Sequence, residues 1–143
     1  MRLLPIAVLC LGLTACAGPE KPTADDDSLY QALGGQAGIA LIVEGLLINI
    51  SDNPRIVHHF EDTDIDRLHD MLIEQFCFEA GGPCEYTGDS MIDSHAGMQI
   101  NEGEFNALVE DLVDAMQAQG VPVTAQNRLL ARLAPMRGDI IYR

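Results

Sequence analysis

The chain has no tryptophan, and only three tyrosines and four phenylalanines among 143 residues, so aliphatic side chains must make up most of any core. Positive charge is scarce too. Eight lysines and arginines face 22 aspartates and glutamates, for a formal net charge of −14. That balance argues against nucleic acid and against an anionic bilayer surface as partners, since both are recognised through clustered cations. It helps solubility and says little else about function. Alternating apolar and polar runs of strand type are missing, and no stretch repeats another.

What is present begins with an address. Arg2 precedes Leu3, Leu4, Ile6, Ala7, Val8, Leu9, Leu11 and Leu13, and the run ends Leu13-Thr14-Ala15-Cys16. A charged start, a short apolar stretch and small residues before a cleavage point mark a secretory signal, too short to stay as a spanning helix. Cysteine directly after the cleavage point resembles the bacterial lipoprotein pattern, in which Cys16 is lipidated; an ordinary cleaved signal is the alternative. Several acyl chains, at about 0.8 kcal/mol per buried methylene, make such an anchor stable. Ala17 in second place is, in lipoproteins, a preference for the outer membrane. Three parts follow: a signal at 1–15, an acidic tether at 16–27 with Pro19, Pro22 and Asp25-Asp26-Asp27, and one domain at 28–143.

Once Cys10 leaves with the signal and Cys16 is claimed by lipid, Cys77 and Cys84 remain as an even pair in an oxidising compartment. A disulfide between them is expected, worth about 2.5 kcal/mol by chain entropy for so short a loop. Cys-x-x-Cys and Cys-x-x-Cys-His do not occur, so neither a zinc knuckle nor covalent c-type haem attachment is signalled.

The rest reads as helix. Ser28 can cap a short first helix stopped by Gly34-Gly35. Ile39, Ile42, Val43, Leu46, Leu47 and Ile50 form the stripe of a second, ended by Asp52-Asn53-Pro54. A short piece carries His58, His59 and Phe60, and Thr63 or Asp64 can cap the next helix, whose shared face is Leu68, Met71, Leu72, Gln75 and Phe76. Asn101 and Glu104 have capping-box spacing before the stripe Phe105, Leu108, Val109, Leu112, Val113, Met116. Thr124 opens a last helix with Leu129, Leu130, Leu133 and Met136 inward and Ile140 and Ile141 at its tail. The expectation is a small all-α domain of six helical segments, which alone implies no function.

One arrangement does. Gly81-Gly82-Pro83-Cys84-Glu85-Tyr86-Thr87-Gly88 cannot be helical, and it leads into Ser94-His95-Ala96-Gly97-Met98, a short segment that can aim an imidazole at an apolar cleft. Such an imidazole is what a haem iron needs on its proximal side. His58 and His59, just before Phe60, can line the edge of a haem or a propionate, but solvated surface is the better reading for them and for His69, and no ligand spacing recommends a metal.

Taken together, Leu29-Tyr30-Gln31-Ala32-Leu33-Gly34-Gly35, Asn53-Pro54-Arg55 through Phe60, Gly81-Gly82-Pro83 with Tyr86-Thr87-Gly88, Ser94 to Ile100, and Leu133-Ala134-Pro135-Met136-Arg137 resemble, in order, the motifs of the group-one truncated haemoglobins. The resemblance implies a two-over-two helical sandwich holding noncovalent haem b. It makes His95 the proximal iron ligand, Phe60 the ring stacked on the porphyrin, Leu68 and Leu72 the distal wall, and Met98 and Ile100 proximal contacts. It also implies a diatomic gas, oxygen or nitric oxide, as ligand, a reductase as partner, and nitric oxide oxidation as a side activity. Two departures bear on chemistry: many relatives carry a tyrosine where this chain has Leu47 and a glutamine where it has Leu72. The expected distal pocket is mainly apolar, with Gln75 the nearest polar candidate. Met71 lies where some relatives place a sixth ligand, which gives an electron-transfer alternative. A haem-free helical lipoprotein acting as an interaction module is the other.

Overall fold

The computed structural model describes residues 27–143. The signal, Cys16 and the tether up to residue 26 lie outside the described residues. Among the described residues all regular elements are helical: α1 (Asp27–Ala32), α2 (Gly35–Asp52), a 3₁₀ turn (Val57–Phe60), α3 (Ile65–Glu79), α4 (Met91–Ser94), α5 (Glu102–Ala118), α6 (Val123–Leu133), a second 3₁₀ turn (Ala134–Met136) and α7 (Arg137–Ile140). The pair α2 and α3 packs over the pair α5 and α6, with α2 against α5 the most extensive contact. Two helices over two is the expected sandwich. No described helix is long and apolar enough to cross a membrane.

Local chemistry accounts for most of the boundaries. Gly34 and Gly35 turn the chain at φ 88° and 64°, a left-handed path that side chains disfavour. On α2, Ile39, Ile42, Val43, Leu46 and Ile50 are buried, as the stripe requires. Of the two candidate caps for α3, Asp64 serves, its carboxylate accepting from Arg67 N at 3.1 Å. The capping box on α5 is complete: Asn101 Oδ1 accepts from Glu104 N at 3.0 Å, and Glu104 Oε2 accepts from Asn101 N at 2.9 Å. Ser28, expected as a cap, is already inside α1.

The last helix differs from expectation. It begins at Val123 rather than Thr124, and it breaks at Leu133 into a 3₁₀ turn and the short α7. Pro135 is the reason, because it has no amide hydrogen and its ring would meet the carbonyl one turn back in a continuing α-helix. The break bends the chain back so that α7 contacts α4. It thereby closes the region that holds His95.

The glycine-proline loop is anchored on several sides. Gly82 N donates to Cys77 O at 2.8 Å, and Thr87 donates to Glu74 Oε2 through its backbone N at 2.9 Å and its hydroxyl at 2.8 Å. A Cβ on Gly82 would lie 2.6 Å from both Cys77 Sγ and the Tyr30 ring, so no side chain fits there. Cys77 and Cys84 are paired through their sulfurs, with Cα atoms 5.9 Å apart.

Candidate functional site

Between the two helix pairs lies a cavity of about 670 Å³. Its walls are largely aliphatic, with Leu46, Leu68 and Leu72 on one side and Leu108, Leu112 and Leu130 on another. Phe60, Phe76 and Phe105 add aromatic surface. The volume lies inside the range of about 300–1,000 Å³ usual for small-molecule sites.

His95 reaches this cavity from the end of α4. Ser90 caps that four-residue helix by accepting from Asp93 N at 3.1 Å, and His95 is its last half-helical residue, at φ −110°. The ring is held by a 2.8 Å bond between Nδ1 and Met91 O. A carbonyl only accepts, so Nδ1 carries the proton and Nε2 of the neutral ring keeps its lone pair. This is the second bond that a metal-ligating histidine ordinarily makes to fix its tautomer. A broad apolar slot with one oriented imidazole fits haem.

The structure brings together Phe60, Leu68, Met71, Leu72, Gln75, His95 and Met98, all of which line the cavity. Two expected residues stand apart. Leu47 lines a second cavity of about 220 Å³ with Val57 and Ile65; Ile50 and Phe60 border both spaces. Ile100 is buried behind the wall, and its carbonyl accepts from Tyr142 N at 2.9 Å. Gln75 is turned from the expected distal role: its amide donates at 3.5 Å to the sulfurs of Met91 and Met136, towards the elements that support His95.

Phe105, Leu108, Val109 and Leu112, which the sequence marks only as part of an apolar helical stripe, line the cavity, as does Tyr86. The signal lay in the width of the apolar arc on α5. Ala107, Ala115 and Met116 are buried in the core, so the arc has apolar residues to spare for the cavity. Tyr86 donates its hydroxyl to Asp89 O at 2.9 Å, and burial, followed by the nearby Asp89 carboxylate, pushes the phenol above its usual pKa. Arg67 and Arg137 also line the site; they pair with Asp89 at 3.5 Å and Glu102 at 3.0 Å. His69 contacts Asp70 at 3.1 Å. His59 departs from the surface assignment, for its side chain is only 13 % exposed and it lines the cavity.

Residues 28–142 match the family model of the bacterial-like globins. The chain is similar to a group 1 truncated haemoglobin of Mycolicibacterium paratuberculosis, 30% identical over 117 residues that cover 82% of this chain and 86% of the relative. It is also similar to one of Synechocystis sp., 31% identical, covering 78% and 90% respectively. Among solved structures, the truncated haemoglobin of Tetrahymena pyriformis in its Fe(III) form matches with a TM-score of 0.78 at 25% identity, over 80% of this chain and 98% of that one.

Proposed function

The chain belongs to the bacterial-like globin family, that of the group 1 truncated haemoglobins, and from that membership we propose a haem protein of the bacterial envelope that binds a diatomic gas at iron held by His95. Haem b is the cofactor, and when bound it supplies an iron that takes the gas. One observation carries the choice of ligand: the His95 ring is pinned through Nδ1 to Met91 O, with Nε2 free at a cavity of about 670 Å³. Phe60, Leu68 and Leu72, which line the cavity, would pack against the macrocycle and keep water from it. Arg67 and Arg137 supply cations for the acidic edge of the cofactor. Return of the iron to its ferrous state calls for an electron donor, a reductase of the same compartment.

Titrating the purified chain with haemin tests this. One equivalent is expected, with a Soret band and a high-spin ferric spectrum at neutral pH. Failure to take up haem overturns the reading in favour of a haem-free helical module. A low-spin thioether spectrum would instead support electron transfer with Met71, which also lines the cavity, as sixth ligand.

The envelope part of the proposal rests on the sequence from Arg2 to Cys16 and on the Cys77–Cys84 pair, whose closure suits an oxidising compartment. The intact mass of the protein extracted from membranes checks both. Expected is a chain that starts at a triacylated Cys16 and takes up no alkylating reagent before reduction. An unprocessed amino terminus, or two free thiols, would count against it.

A further inference from the structure

We propose that His58, His59 and Glu104 form a binding site for a divalent transition cation of the Zn²⁺ type at the outer wall of the haem cavity. The histidines come from the 3₁₀ turn Val57–Phe60, with ring centroids 4.1 Å apart, and the carboxylate comes from the first turn of α5. Glu104 Oε1 lies 3.6 Å from His58 Nε2 and Oε2 lies 3.4 Å from His59 Nε2, and ligand atoms from all three residues fall within 4.8 Å of one another. Metal bonds of about 2.0–2.2 Å at tetrahedral angles put nitrogen and oxygen ligands about 3.4 Å apart, so the donors need little movement to close on an ion.

A second observation points to a missing partner. His59 Nε2 is enclosed and has no hydrogen-bond partner, because the nearby carboxylate is not aligned to accept from it. Buried polar atoms are ordinarily satisfied. The carboxylate itself is already oriented by Asn101 N, which donates to Oε2 at 2.9 Å, as an outer partner orients a ligand. Two imidazoles and one carboxylate suit zinc, copper or nickel rather than calcium or magnesium, which favour all-oxygen sets. His58, with half its side chain exposed, leaves a route for the ion and for a water as fourth ligand. Bound there, the ion would tie the turn carrying Phe60 to the helix carrying Phe105, two walls of the same cavity.

The test is competition for Zn²⁺ between a chromophoric chelator and the haem-loaded full chain. One equivalent is expected in wild type, with affinity lowered about tenfold or more in His58→Ala and in Glu104→Gln, and unchanged in His69→Ala. Glutamine also serves in a capping box, so an unaltered Soret band and helix content in Glu104→Gln separate loss of a ligand from loss of fold. No saturable uptake by wild type, or equal affinity in all four proteins, overturns the site.

Discussion

Replacing His95 by alanine is expected to abolish stoichiometric haem binding while leaving the helices in place. The side chain makes one polar contact, the 2.8 Å bond from Nδ1 to Met91 O. Losing a single hydrogen bond of this kind costs about 1 kcal/mol of stability, and the ring faces a cavity rather than filling the core. Of the two described histidines that line the cavity, the variant loses the one whose ring a backbone carbonyl orients, while His59 turns its Nε2 towards Glu104. Hydrophobic enclosure alone then has to retain the cofactor. In a haemin titration the variant should give no stoichiometric Soret band, and far-ultraviolet circular dichroism should match wild type. Free imidazole added to the variant should restore a ligand in the space vacated and bring the band back. A variant that retained one equivalent of haem with the wild-type spectrum would remove His95 from the role of ligand. Loss of helix signal along with haem would mean instead that the side chain holds α4 in position.

The path from sequence to this site was legible wherever the chemistry is local. Helical stripes, the Asn101 and Glu104 capping box, the glycine turn at Gly34-Gly35 and the loop before α4 each depend on residues within a few positions, and each stands where the pattern put it. Rotational register was harder. Successive helical residues differ by about 100°, which is enough to put Leu46 in the main cavity and Leu47 in the neighbouring one. Long-range polar partners left no local trace. Asn53 looked only like a helix stop, yet its Nδ2 donates to both carboxylate oxygens of the buried Asp111 at 3.1 and 2.9 Å and so fastens the end of α2 to α5. Glu104 likewise read as a cap alone, although the fold sets the same carboxylate beside two histidines. Its pKa is held below the usual value, first by the hydrogen bond from the Asn101 backbone and then by His59 and His58. The interaction is therefore present above the ordinary glutamate pKa and is lost as pH falls through the lowered value.

Oxygen should leave this protein about ten- to a hundredfold faster than it leaves a relative with a distal hydrogen-bond donor. The factor follows from the energy at stake: a hydrogen bond to a polar, partly charged ligand is worth about 1.5–3 kcal/mol, and each 1.4 kcal/mol is about a tenfold change. Leu68, Met71 and Leu72 present carbon and sulfur to the cavity. Two donors on its walls are committed elsewhere, Gln75 to the sulfurs of Met91 and Met136, and Tyr86 to Asp89 O. Stopped-flow dissociation of oxygen from the ferrous protein should thus be fast in wild type and almost unchanged in Gln75→Ala. Leu72→Gln puts a donor on the main cavity wall and should slow release by about tenfold or more. Leu47→Tyr should act less, because Leu47 opens on the smaller space beyond Ile50 and Phe60. A wild-type rate as slow as that of Leu72→Gln would defeat the apolar pocket. Marked acceleration in Gln75→Ala would show that the glutamine leaves its two thioethers when the gas binds, and would restore it to the distal role that its place on α3 first suggested.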